Sequence, residues 1–240
     1  KLKGNIIQVL ANQDSLWLRT STNNMYKYNP SSKKLLEHNT WNNESNFSND
    51  KPLIIINNDF WYIDQDGKLS NYQSSTQKLS NYAPKQKTKI IGMHLLDSTL
   101  WLITKNNQIL MFDIKEKSYK KSKVLLPDEL NGEYINKLQV DKQWIWLGSD
   151  SQGIILINRE TNETTIFNDN NSLKSNYISS ILIDDKNIAW FATNIGITRI
   201  DPISMNVFNF DTDLTTHIMG DISIPGSISV DDATGGNLQI

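Results

Sequence analysis

Five of the seven tryptophans in this chain fall on one period. Trp17, Trp61, Trp101, Trp146 and Trp190 follow one another at intervals of 44, 40, 45 and 44 residues. A repeat of this length is one supersecondary unit that must bury its apolar face against its neighbours. Each repeat also has the same internal order. An apolar-rich run comes first: "IIQVLA", "LIIIN", "IIGMHLL", "INKLQV", "ISSILID". A polar turn leads to the tryptophan run, as in "LWLRT" and "AWFAT". After a second polar turn come alternating runs such as "NMYKYNP", "QILMFD" and "GITRIDP". Short runs such as "KLLEH", "TTIF" and "NVFNF" close each unit. Period-2 alternation, β-branched and aromatic enrichment and frequent turn residues predict antiparallel strands. No amphipathic helix of three turns stands out.

Four short antiparallel strands in roughly 44 residues are the pattern of a β-propeller blade. The fold class predicted is therefore all-β, a β-propeller of four-stranded antiparallel blades. The first strand of each blade lines the centre, and the tryptophan strand lies beside it between neighbouring blades. A wide flat indole fills the gap between two twisted sheets and brings a large apolar area. The anchoring tryptophans are thus read as core packers. Trp144, near the start of its strand, is the one with a place at the rim where a binding role is open. The hydroxyl residues after the anchors (Thr20, Thr104, Ser149, Thr193) suit turn closure. Gly153 and Gly196 suit positive φ or close backbone approach.

Blades are expected at about 5–41, 51–84, 87–131, 133–174 and 175–218, with a partial sixth at 221–240. A closed propeller pairs its last blade with its first to leave no open edges. An incomplete sixth repeat therefore predicts a segment of a larger propeller, seven-bladed for example.

Residues 171–201, "NSLKSNYISSILIDDKNIAWFATNIGITRID", resemble the two-component-regulator propeller repeat. The resemblance is carried by Asn171, Ser172, Leu173, Ser175, Asn176, Ile178, Asp184, Trp190, Thr193, Gly196 and Asp201. The fourth repeat shares Asp141, Trp146, Leu147, Gly148, Ser149 and Gly153 with it, and the first three keep mainly the tryptophan and the strand order. The resemblance implies the extracytoplasmic, periplasmic sensor of a bacterial hybrid two-component regulator of the Bacteroidota type. It further implies an oligosaccharide ligand, further blades or domains of the same protein, a homodimeric receptor and a membrane histidine kinase. Those expectations rest on analogy of fold.

The composition narrows the function classes. A net charge of −2 and a pI near 5.9 argue against a nucleic-acid partner, which calls for a concentrated basic face. There is no cysteine, hence no disulfide, thiolate metal site or cysteine nucleophile. His38, His94 and His217 lack zinc-ligand spacing, so no metal and no cofactor is expected. The sequons at Asn43, Asn46, Asn162 and Asn170 read as incidental in a chain rich in Asn, Lys and Ile. The aspartates Asp64, Asp66, Asp113, Asp141, Asp184, Asp185, Asp201, Asp231 and Asp232 mostly recur at equivalent turn positions, where a carboxylate bonds nearby amides. No catalytic residue is assigned.

Ligand contact is expected on the edge that carries the turns between second and third strands. Those turns offer Arg19, Asn23, Asp64, Lys105, Asn106, Asp150, Gln152 and Asn194. Amide and carboxylate groups suit sugar hydroxyls, and Arg19 and Lys105 suit a carboxylate or sulfate. Two other classes stay open: a scaffold for a protein partner or a second copy, and a propeller glycan lyase or hydrolase with a converging carboxylate pair.

Overall fold

A computed structural model describes residues 2–211 apart from 13–14, 23, 41–51, 86, 128–129 and 131–134. The sixth repeat expected at 221–240, with Asp231 and Asp232, lies outside the described residues, as do Trp41 and His217.

The fold is all-β and of β-propeller type, with five four-stranded antiparallel blades. Blade I is β1 (Ile6–Asn12), β2 (Ser15–Thr20), β3 (Asn24–Asn29) and β4 (Lys34–Thr40). Blade II is β5 (Leu53–Ile56), β6 (Asp59–Ile63), β7 (Leu69–Gln73) and β8 (Lys78–Tyr82). Blade III is β9 (Ile90–Leu96), β10 (Thr99–Thr104), β11 (Ile109–Asp113) and β12 (Ser118–Lys120). Blade IV is β13 (Ile135–Val140), β14 (Trp144–Ser149), β15 (Ile154–Asn158) and β16 (Thr164–Phe167). Blade V is β17 (Ile178–Ile183), β18 (Ala189–Thr193), β19 (Gly196–Ile200) and β20 (Val207–Asp211). Strands pair in chain order within every blade. Two compact units result: residues 1–123 hold blades I–III, and residues 124–240 hold blades IV and V.

Strand alternation explains the packing inside each unit. Successive side chains point to opposite faces of a sheet, so the tryptophan of one blade faces the next blade and its flanking residues face back. Trp17 meets Phe60 edge-on at 4.8 Å between ring centroids. Trp61 meets Phe112 of blade III at 5.7 Å. In the second unit Trp146 meets Phe191 of blade V at 5.4 Å. Trp17, Trp61, Trp101 and Trp146 are all buried. Trp190 is half-buried, because it lies on the face of blade V turned away from blade IV. There it stacks on Phe210, and Leu182, Ile197 and Phe208 on the same face are exposed. Trp144 is half-buried against the apolar cluster between blades IV and V, at the opposite end of β14 from the expected ligand turns.

Two backbone features recur that residue types did not disclose. A register shift marks the start of β1, β9, β13 and β17, opposite Thr20, Thr104, Ser149 and Thr193. Every turn between third and fourth strands holds one residue in the left-handed region: Lys33, Gln77, Lys117, Asn162 and Met205. None is glycine, so only the asparagine signals this conformation in sequence.

The turn rim and its candidate ligand residues

Each blade is a meander. The second-to-third-strand turn and the connector into the first strand therefore lie on one rim, and the other two turns lie on the opposite rim. Backbone bonds tie turn to connector. Ser21 N–H donates to the Asn5 carbonyl at 2.8 Å, and Ile90 N–H to that of Gly67 at 2.8 Å. Lys105 N–H donates to the Lys89 carbonyl at 2.8 Å, and Gly153 N–H to that of Asn176 at 3.0 Å.

The residue three positions after each anchoring tryptophan closes the turn. The Thr104 hydroxyl accepts the Gln108 N–H at 3.0 Å. Thr20 accepts the Asn24 N–H at 3.3 Å, and Ser149 accepts the Gln152 N–H at 2.6 Å. The Thr193 hydroxyl donates to the Gly196 carbonyl at 2.9 Å. In blade II this slot is Asp64. It is buried, and its carboxylate accepts the Lys68 N–H at 2.8 Å and the Ser70 hydroxyl at 3.4 Å. Burial, with the Asp64 charge adding to it, pushes the neighbouring Tyr62 phenol well above its ordinary range.

The expected ligand residues therefore divide. Asp64 is a turn closer. Arg19 lies on strand β2, buried beside Trp17's strand position, and donates to the Gln8 side chain at 3.1 Å. Neither is presented at the turn surface. Asn23 lies outside the described residues. Lys105 and Asn106 are exposed on the rim of the first unit. On the rim of the second unit, Asp150 is exposed and accepts from the Asn136 amide at 3.0 Å. Asn194 is exposed and accepts from the Ser175 hydroxyl at 2.6 Å, and Gln152 is half-buried.

The sequence motif at 171–178 is explained by the connector into blade V. Asn171 turns back on the chain, its amide donating to the Ile166 carbonyl at 2.9 Å. Leu173 is buried in the cluster between blades IV and V. Ser175 reaches the Asn194 turn, and the Asn176 side chain accepts the Asp169 N–H at 2.8 Å. The motif builds a rim connector and does not in itself specify a ligand.

Four of the recurring aspartates sit on the opposite rim, each occupied by backbone amides. Asp141 accepts from Gln143 and Trp144, and Asp184 from Lys186 and Ile188. Asp113 accepts from Lys115 and Glu116, and Asp201 from Ile203 and Ser204. The Lys120 ammonium, with the Glu116 and Lys115 amides, holds the Asp113 carboxyl at about 2. Burial works against the Asp184 carboxylate. The Trp190 indole, bonded at 2.9 Å, and the Ile188 and Lys186 amides outweigh it and hold that carboxyl below its usual range. No group of three His, Cys, Asp or Glu residues among the described residues is arranged to hold a metal ion.

The connector into blade III, "PKQKTK", places Lys85, Lys87 and Lys89 on the same rim as Lys105, all exposed. Lysine at every second residue was the available signal.

No protein-family model matches the chain, and no curated protein does. Solved structures match it in fold. The extracellular domain of the putative hybrid two-component system BT3049 from B. thetaiotaomicron aligns with a TM-score of 0.67 and 16% identity over 99% of this chain. That of BT4673 from the same organism aligns at 0.61 and 15% over 89%. PorZ, a surface component of the type-IX secretion system of Porphyromonas gingivalis, aligns at 0.57 and 16% over 87%. The chain spans 32%, 28% and 35% of those three chains, respectively. In fold it is similar to the extracellular domains of these two putative hybrid two-component systems.

Proposed function

We propose that this chain is part of an extracytoplasmic, periplasmic sensor propeller of a hybrid two-component regulator. In this reading it recognises a glycan fragment and passes the signal to a membrane histidine kinase. The observation that carries the reading is the match in fold to extracellular domains of two such systems. The rim chemistry of each unit supports the ligand class, since Asn106 in the first and Asp150, Gln152 and Asn194 in the second offer the amide and carboxylate groups that bind sugar hydroxyls. The role is binding without turnover, with other domains of the same protein and a second receptor copy as partners.

A thermal-shift screen against defined oligosaccharides tests it. A ligand of the native state at 100 times its Kd adds about 2.7 kcal/mol of stability, a visible rise in Tm. The expected result is a selective rise with one oligosaccharide class and no product on chromatography. Product formation would replace the sensor reading with a glycan lyase or hydrolase. A second reading, an interaction scaffold, is favoured by the exposed Leu182, Ile197 and Phe208 on one face of blade V. A flat screen would move the weight to it.

A further inference from the structure

Charge is segregated between the two rims of blades II and III. The opposite rim holds Asp59, Asp97, Asp113 and Glu116 with Lys78, Lys115, Lys117 and Lys120, a net charge of zero. On the turn rim, the turns at 64–68 and 105–108 and the connector at 83–89 hold Lys68, Lys85, Lys87, Lys89 and Lys105 against Asp64 and Asp66, a net charge of +3. Asp64 is buried and spent on its own turn. Asp66 lies 3.5 Å from Lys68. Among the described residues, no ion pair joins Lys85, Lys87, Lys89 or Lys105 to a carboxylate.

The backbone brings these lysines together. Lys105 N–H bonds the Lys89 carbonyl, and Ile90 N–H bonds that of Gly67. Gly67, at φ +78°, lies so close that a Cβ on it would fall 2.6 Å from the Lys89 Cβ. The stems of Lys68, Lys89 and Lys105 thus start from adjoining backbone, and Lys85 and Lys87 follow on the same connector. Like charges held within a Debye length, about 8 Å at physiological salt, repel one another. A bound polyanion removes that repulsion and releases counterions.

We propose that this rim binds the anionic groups, sulfate or carboxylate, of an acidic oligosaccharide. The proposal deepens the glycan-sensing reading and rests on it. Lysine is a point charge on a flexible stem, suited to anions at variable spacing. Asn106, between Lys105 and the buried Asn107, adds an exposed amide for a neighbouring hydroxyl. No aromatic side chain of blades II and III is exposed, so the rim lacks the stacking platform that single-stranded nucleic acid uses.

The test is calorimetric titration of the full chain with three hexasaccharides: sulfated, uronate without sulfate, and neutral. A single-stranded DNA hexamer is the fourth probe. Two charge-matched triple variants accompany the parent chain. One is Lys87→Gln, Lys89→Gln, Lys105→Gln on the turn rim. The other is Lys78→Gln, Lys115→Gln, Lys117→Gln on the opposite rim. One or both acidic hexasaccharides are expected to bind, about ten-fold more weakly at roughly 300 mM than at 50 mM salt. The turn-rim triple weakens that binding about ten-fold or more, and the opposite-rim triple leaves it within about two-fold. The sulfated and uronate arms tell the two anions apart. Binding confined to the neutral sugar overturns the anion rim and leaves glycan sensing standing. No binding to any hexasaccharide overturns both. DNA binding as tight as the acidic sugars overturns the saccharide assignment, and equal losses in the two triples reduce the effect to net charge.

Discussion

Gly153→Ala is expected to destabilise the second unit by about 3 kcal/mol or more. Two independent costs meet at this residue. Its φ of +79° lies in the left-handed region, which costs an L side chain about 1–2 kcal/mol. A Cβ there would also sit 2.2 Å from the Phe167 carbonyl oxygen and 3.0 Å from the Leu173 Cδ1. The first of these is backbone, so relief requires β16 or the connector to shift, an overpacking cost of about 1–3 kcal/mol. The glycine cannot turn away either: its N–H is held by the Asn176 carbonyl and its own carbonyl by the Ser149 N–H. Urea denaturation followed by tryptophan fluorescence measures the loss. The neighbour Gln152→Ala serves as a reference, expected within about 0.5 kcal/mol of the parent chain. A similarly small effect of Gly153→Ala would mean that the turn is not packed as described.

Trp146→Ala is expected to cost about 3–5 kcal/mol, the range for truncating a large aromatic in a packed core. The indole is fully buried and shares its cluster with Ile154, Leu156, Phe167, Leu173, Ile181 and Phe191. Its Nε1 is buried with no hydrogen-bond partner. Trp146→Phe therefore sheds an unsatisfied donor along with its area, and a milder loss than for alanine is expected. Trp190→Phe is the contrasting case, since it removes the indole bond to Asp184, worth about 1 kcal/mol. Denaturation midpoints of the four proteins give the comparison. An alanine effect at position 146 below about 1 kcal/mol would contradict the inter-blade packing.

The blades were legible because period and alternation act together. A tryptophan every 44 or so residues and period-2 strands leave few ways to bury both faces. The tryptophan spacing also held the clue to Asp64, which stands three residues after Trp61 where other repeats carry Thr or Ser. Hydroxyl and carboxylate oxygens can both accept a turn amide, so the slot tolerates either. The sequence allows Asp64 both roles, turn carboxylate and ligand group, and its burial and its bonds to Lys68 and Ser70 favour the first. Arg19 heads the polar run "RTSTNN" between the second and third strands, yet β2 extends to Thr20 and buries it. The rim lysines of "PKQKTK" meet the turns only in the folded chain. Only the backbone bonds of Lys89 and Gly67 show that a connector and two turns come together, and such proximity leaves no periodic trace.

Hydrogen–deuterium exchange with and without the oligosaccharide that shifts Tm tests the placement of the ligand face most directly. The expected protection falls on the turn rim of one unit or the other: in the first unit the turns at 64–68 and 105–108 and the connector at 83–89, in the second the turns at 150–153 and 194–195 and the connector at 168–177. The opposite-rim turns at 57–58, 97–98, 114–117 and 159–163 are expected to exchange at unchanged rates. Protection confined to the opposite rim, or spread over the exposed face of blade V, would contradict a ligand-sensing turn rim.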